Sequence, residues 1–276
     1  MFADVALAAA VDRAEGRLVA EIAEGAAARR PQARSLVKTL SGGVVAYTGP
    51  AAPSNKAIAI GLGEPLDEGQ LAAIEAEWRS RNEPMRIELA TLADSRIGAV
   101  LTARGYRLLG FENVLGRSLD LLDETAPVNG LTIAPVEASD EASWFDVMVE
   151  GFAAPDPSPA PAEVCPREIL QEVFADLAGA SGFVRYLARL DGELAGAASL
   201  RLDGAIAQLC GATTVPAFRR RGIQTAMLHR RLADARKAGC TLAVITTQPG
   251  SKSQENTQKR GFELLYARAI LVREWM

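Results

Sequence analysis

The stretch Thr213–Leu228, TTVPAFRRRGIQTAML, has the residues best suited to chemistry. A β-branched run ends at Pro216. Arg219, Arg220 and Arg221 follow, then Gly222, then a helical pattern with no early acidic residue. The first N–H groups of a helix have no internal acceptor, and the helix dipole favours negative charge beside them. Gly222 lets the backbone approach a bulky anion, Thr225 adds a hydroxyl, and arginine forks match phosphate oxygens. The pattern reads as a site for a small phosphorylated ligand. With a formal net charge of -4 over 276 residues, a general nucleic-acid binder is not expected.

The remaining composition excludes several chemistries. His229 is the one histidine, which argues against Ser-His-Asp and Cys-His catalysis and against a multi-histidine metal site. It falls on the polar side of its helix together with Arg230 and Arg231 and reads as a solvated residue. Cys165, Cys210 and Cys240 are odd in number and fit no zinc spacing; with no signal peptide before them, a reducing cytoplasm is expected. Cys210 reads as strand packing, because no base accompanies it. The Ala-rich N-terminus carries Asp4, Asp12, Arg13 and Glu15, so it is no export signal. No uncharged apolar run reaches about 18 residues, so no membrane span is expected. An apolar share of 49% allows a sizeable core.

These residues need elements to position them. The polar segment Leu122–Gly130 reads as a linker, giving domains over 1–122 and 131–276 with 123–130 between. The first half predicts helices over about Val5–Ala28, Asp67–Arg81 and Asp94–Ala103, strands Gly43–Tyr47, Ala57–Ile60 and Arg86–Ala90, and a strand pair over Tyr106–Leu119. The second half predicts strand Leu131–Ala134, helix Glu141–Phe152, a Pro-rich loop Ala153–Pro166 and helix Arg167–Leu177. A hairpin Phe183–Leu190/Glu193–Leu202 turns at Asp191-Gly192. Strand Ala205–Val215, helix Gly222–Ala238, strand Thr241–Thr247, helix Ser253–Lys259 and a strand pair over Phe262–Trp275 complete it.

Two copies of one unit are visible. Ala103-Arg-Gly-Tyr-Arg-Leu-Leu109 matches Lys259-Arg-Gly-Phe-Glu-Leu-Leu265. Extended backward without a gap, Thr91 lies over Thr247, Ile87–Leu89 over Ala243–Ile245, and the helix at Asp67 over the helix at Gly222.

Hairpin, strand, Pro216, Arg219-x-x-Gly222-x-Gln224, long helix and Arg260-Gly261-Phe262, in that order, resemble the GNAT superfamily of N-acetyltransferases over about Leu131–Met276. Gln224 stands where the family pattern has Gly or Ala. The resemblance implies an α/β (α+β) fold of two GNAT-like domains, each a mixed, mostly antiparallel sheet flanked by helices. It also implies acetyl-CoA as co-substrate and no metal. Its diphosphate would meet Arg219, Arg220, Arg221, Gly222, Ile223, Gln224 and Thr225. Ala212, Thr213, Thr214 and Val215 would lend backbone groups to the pantetheine arm and the thioester carbonyl, at a strand that splays by a bulge. Asn256 would touch the cofactor; Ser253 would touch it or cap its helix. The family's usual tyrosine acid corresponds to Thr257, a poor proton donor, so no catalytic residue is assigned. Asp156 and Glu163 lie where relatives shape the acceptor pocket.

In the first copy the matching loop, Gly61-Leu-Gly-Glu64-Pro-Leu-Asp67-Glu68-Gly69, has no arginine, and its carboxylates would repel a bound anion. That half is expected to keep the scaffold, to have lost CoA binding, and to pack against the second half and wall the acceptor site. The expected reaction is acetyl transfer to a small-molecule or peptide amine, without nucleic acid or membrane and with a homodimer open. Two other readings stand: a non-catalytic acyl-CoA-binding regulator, for which the missing tyrosine speaks, and an interaction protein built on the repeated halves.

Overall fold

A computed structural model describes residues 1–120, 122, 126–153 and 166–275. In chain order the elements are α1 (Val5–Arg29), β1 (Leu36–Leu40), β2 (Gly43–Tyr47), β3 (Lys56–Ile58), α2 (Glu68–Ser80), β4 (Met85–Ala90), α3 (Arg96–Ala103), β5 (Arg107–Ser118), β6 (Leu131–Pro135), α4 (Glu141–Ala153), α5 (Arg167–Leu177), β7 (Phe183–Leu190), β8 (Glu193–Asp203), β9 (Ile206–Gln208), β10 (Ala212–Thr214), α6 (Ile223–Lys237), β11 (Leu242–Thr247), α7 (Lys252–Gln258) and β12 (Glu263–Arg273). Asp123, Glu124 and Thr125 of the expected linker, and Asp156, Glu163 and Cys165 of the Pro-rich loop, lie outside the described residues.

Internal contacts divide the chain into two compact units. The first comprises Met1–Leu115, Thr246–Pro249 and Ser253–Met276, the second Gly116–Ile245 and Gly250–Lys252. This division differs from the one read in the sequence, because the last strand sits with the first half. β12 forms an antiparallel ladder with β4, from Arg268↔Ala90 to Arg273↔Met85, and buries Tyr266, Ile270 and Leu271. Both expected strand pairs, 106–119 and 262–275, are instead single long strands. No Gly-rich turn interrupts either one.

In the first unit the strand order is β1-β2-β3-β4-β12-β5. β1 and β2 form a hairpin that the sequence reading had only by half. Ser41 and Gly42 at its turn both have positive φ, the backbone that a tight two-residue connection requires. α2 lays Leu71, Ile74 and Trp78 on this sheet, and Trp78 meets the Tyr47 ring edge-on at 6.1 Å. In the second unit the order is β11-β9-β8-β7-β6, with β10 also on β8. The Asp191-Gly192 hairpin forms as expected. Each unit is a mixed sheet with one parallel pair, β3 with β4 and β9 with β11, and antiparallel ladders otherwise among the pairs described here. The repeat holds in three dimensions. At a single offset, β3 matches β10, α2 matches α6, β4 matches β11, α3 matches α7 and β5 matches β12, each to within a residue or two.

Buried charge ties β12 into the first unit. Arg268 and Asp12 pair at 2.7 Å with both side chains 1% exposed, and the Tyr266 hydroxyl donates to the same carboxylate at 2.6 Å. Lys56 of β3 bridges Glu15 of α1 and Glu88 of β4. Arg86 and Glu88, which have no role in the sequence reading, belong to this network. Glu112 of β5 faces Arg268 at 3.3 Å. Burial and the neighbouring Glu88 push the Glu112 carboxyl from 4.5 up to about 7, against the pull of Lys56 and Arg268. A carboxyl whose pKa rises on folding takes up protons as the chain folds, so stability falls as pH rises from its unfolded to its folded value. Glu112→Gln removes that dependence. Urea unfolding at roughly pH 5 and 8 should show wild type losing stability relative to the variant between the two; parallel behaviour would mean that Glu112 titrates normally.

Candidate functional site

The second unit departs from regular pairing at one place. β9 pairs with β8 through Arg201↔Gln208, Leu202↔Ala207 and Asp203↔Ile206, and β10 through Ala212↔Ala198, Thr213↔Ala197 and Thr214↔Gly196. Ser199 and Leu200 of β8 therefore stand opposite three residues, Leu209, Cys210 and Gly211. That extra residue is a β-bulge, which bends the strand. Ser199 donates its N–H to Gly211 O (3.0 Å) and accepts from Cys210 N (3.2 Å). β9 goes on to pair with β11 as far as Leu209 N to Val244 O. β10 pairs with β8 alone among the described strands. The single strand read at 205–215 is thus two short strands, and the splay expected there is present.

The antiparallel register decides which backbone groups face where. Val215 donates to Ala195 O (3.0 Å), and Thr213 opposite Ala197 also turns toward β8. Backbone groups alternate along a strand, so those of Ala212 and Thr214 turn to the open edge. Arg219 Nε reaches Thr214 O at 3.3 Å. The close approach of β8 and β10 depends on Gly196. A Cβ there would lie 2.8 Å from Thr213 O and 3.0 Å from Met227 Cε.

After β10 a single 3-10 turn, Pro216–Phe218, leads into the arginines. Arg219 is extended, Arg220 has φ 64° and Gly222 φ 79°. Gly222 is the N-cap of α6 and has no side chain to cap it, and the first turn has no acidic residue. Arg221 stacks over Phe218 with its guanidinium carbon 5.4 Å from the ring centroid. Ile223 is turned into the core beside Ala195 and Ala198, so only its backbone belongs to the helix start. Gln224 is exposed and Thr225 half-buried in the same turn.

The matching helix of the first unit begins in the opposite way. Asp67 caps α2, its carboxylate accepting from Gly69 N and Gln70 N at 2.9 Å each, and Glu68 adds a second negative charge. The amides that an anion would need are already taken by a carboxylate of the chain.

Residues 144–262 match the family described as Acetyltransferase (GNAT) family. Among solved structures, the chain is similar to a GCN5-related N-acetyltransferase from Kribbella flavida at 20% identity, covering 92% of this chain and 96% of that one with a TM-score of 0.62. It is similar to one from Sphaerobacter thermophilus at 15% identity, with 75% and 67% covered and a TM-score of 0.57. A tandem GNAT protein from the clavulanic acid biosynthesis pathway gives 15% identity, 84% and 78% covered and a TM-score of 0.57. At such identities the likeness shows the fold. No curated protein sequence matches the chain. The GNAT fold supports an acyl-CoA-dependent acyltransferase.

Several GNAT site residues look different in three dimensions. Thr257, at the tyrosine position, is buried, and its hydroxyl donates back to Ser253 O and Gln254 O of its own helix at 2.9 and 3.0 Å. Ser253 lies inside α7 and is not its cap, because the helix already begins at Lys252. Ser253 and Asn256 both belong to the first compact unit, whereas residues 212–225 belong to the second. His229 is half-buried, against a groove of about 550 Å³ also lined by Val128, Leu131, Ile133 and Ala226. Cys210 sits in the bulge, half-buried, with Sγ 3.5 Å from Gln208 O.

Arg231 corrects the sequence reading most. It was expected on the polar face of α6, yet it is 3% exposed. Met227, Arg231 and Ala235 are four residues apart and share the buried stripe. Arg231 Nη1 donates to Ser199 O (3.0 Å) and Gly211 O (3.2 Å), and Nε to Met227 O (3.3 Å). Burial lowers its pKa to about 10, which leaves it a cation at neutral pH. The i, i+4 spacing was the available signal; the carbonyls exposed by a bulge were not readable from sequence.

A Cβ at residue 196 should separate β8 from β10. Gly196→Ala is expected to cost about 1–3 kcal/mol in urea unfolding, the usual range for overpacking. An unchanged midpoint would mean that the two strands part without strain.

Proposed function

We propose that this protein moves an acetyl group from acetyl-CoA to an amine, and that the second unit binds the CoA. The observation that carries the reading is the start of α6, uncapped, free of acid and preceded by three arginines, directly after a strand with an open edge. The residues fit the cofactor: Gly222, in the left-handed region and without a side chain, leaves the helix start bare, and Arg219 and Arg221 precede it in the chain. The contrast with Asp67 and Glu68 in the first unit supports placing the CoA in the second.

Acetyl-CoA supplies an activated thioester. The chain's own part is binding and alignment. Helix-start amides and arginines would hold the diphosphate, and the Ala212–Thr214 edge would hold the pantetheine arm as an added strand. The acceptor must attack as a neutral amine, forming the C–N bond as the C–S bond breaks. It loses one proton to solvent while the thiol takes one up. Thr257 has its hydroxyl committed to helix carbonyls, so it does not supply that proton. Catalysis then rests on positioning and on backbone donors to the carbonyl oxygen. The acceptor is a small-molecule or peptide amine. A non-catalytic acyl-CoA-binding regulator is the second reading, and the committed Thr257 hydroxyl favours it.

A ligand that binds only the folded state raises stability, by roughly 2.7 kcal/mol at a hundredfold excess over its dissociation constant. Acetyl-CoA should raise the melting temperature of wild type and not that of Arg221→Ala/Gly222→Asp. Aspartate is among the few non-glycine residues that visit positive φ, and the melting temperature of the unliganded double variant checks that it folds. Glu64→Arg/Glu68→Ala in the first unit should bind as wild type; a loss there would move the site to the other half. No shift in wild type at millimolar acetyl-CoA would overturn the reading.

A further inference from the structure

The bulge places a cation directly behind one peptide group. Gly211 O accepts two hydrogen bonds, from Ser199 N at 3.0 Å and from Arg231 Nη1 at 3.2 Å. The carbonyl of Gly211 and the N–H of Ala212 belong to the same planar peptide, with the two groups pointing in opposite directions. One end of that peptide is clamped by a buried guanidinium and a strand amide, and the other end leaves on the open edge of β10. Hydrogen bonds in series polarise one another, and the effect is larger where water is excluded. A donor whose own carbonyl is bonded to a cation is a stronger donor.

Arg231 is also placed oddly for a merely structural residue. Among the described residues it has no carboxylate partner; its bonds go to three backbone carbonyls. Burying a cation without a carboxylate partner costs free energy that its bonds to backbone carbonyls offset only in part. The first unit shows what a structural choice at this position looks like. The residue matching Arg231 there is Glu75, which is buried and pairs with Arg104 and Arg273. The peptide matching Gly211–Ala212 is Asn55–Lys56, where the Asn55 side chain accepts from Thr48 N (2.8 Å) and Lys56 pairs with Glu15 and Glu88. The unit with an acid-filled helix start lacks the cation behind the strand as well.

We propose that Arg231 is a positioning residue that fixes and polarises the Gly211–Ala212 peptide, making the Ala212 N–H the donor to the acyl carbonyl oxygen. This rests on the acyl-CoA reading above. Arg231 touches no reacting atom; it acts through the peptide. Negative charge that develops on the carbonyl oxygen as the amine attacks is then met by an N–H already oriented and charged, with no reorganisation at that moment.

The test needs no acceptor. Acetyl-CoA labelled with carbon-13 at its thioester carbonyl is bound to the full chain, and the carbonyl band is read by isotope-edited infrared spectroscopy, with the dissociation constant measured in parallel. In wild type the band should move to lower frequency on binding. Arg231→Met should bind acetyl-CoA yet lose most of that shift, and Arg231→Lys should recover part of it. An undiminished shift in Arg231→Met overturns the proposal and leaves the acyl-CoA reading standing. Failure of wild type to bind overturns both. If Arg231→Met does not fold, Arg231→Lys decides alone. Its ammonium group carries the charge without the planar fork, so a band identical to wild type overturns the proposal, and one between free and wild type supports it.

Discussion

A peptide group has two ends, and a strand that gives one end to a neighbour gives the other to whatever lies beyond. That constraint governs the second unit. Three residues of the chain face two of β8 at Leu209–Gly211, and the strand after them runs on β8 out of step with β9. β9 stays with β11, β10 stays only with β8, and the turn that follows delivers α6 beside the resulting gap. Gly196 lets β10 approach β8 closely on one side, and Arg231 fills the carbonyls that the bulge leaves on the helix side. Without the extra residue the register would continue, and β10 would present its other edge to β11 as β9 does.

The two copies show how little of the scaffold has to change to reverse its electrostatics. α2 and α6 occupy matching positions, yet one begins with Asp67 and Glu68 and the other with three arginines and a glycine. One buries Glu75 and the other Arg231 at the same turn. The matching positions of the long strands carry Glu112 and Arg268, which meet each other inside the first unit. In the first copy opposite charges meet through Lys56, Glu88, Arg268 and Asp12, and these pairs tie the sheet together. In the second, positive charge gathers at an edge.

Much of this was legible from residue order, for local reasons. Asp191-Gly192 specifies its hairpin through positive φ, and the repeat was visible because the chain runs from Thr91 to Leu109 and from Thr247 to Leu265 without an insertion. The arginine loop was readable because its chemistry lies in consecutive residues. What was missed depends on distant partners. Arg231 counts as polar in any pattern, and only the carbonyls of Ser199 and Gly211 make the buried position tolerable. Leu36–Leu40 alternates weakly because its burial is partial, so the first strand gave little signal. The placement of β12 beside β4 could not be inferred, since either half offers an apolar edge to an equally apolar strand, and the choice is made by Asp12 finding Arg268 across the whole chain.

That last placement bears on how the chain comes into being. The first unit is assembled from residues at both extremes of the described sequence, with α1 against a strand that begins at Glu263. On the ribosome the first half emerges early but cannot close its sheet until β12 has left the exit tunnel. Meanwhile the edge of β4 and the carboxylate of Asp12 are unmatched. The second unit has its hairpin, bulge and α6 in continuous sequence and is free to form first. Contacts of long sequence separation form slowly, and an open strand edge invites the wrong partner. The unit made of later residues can thus be complete before the unit that contains the earliest ones, and the order of synthesis and the order of folding run in opposite directions.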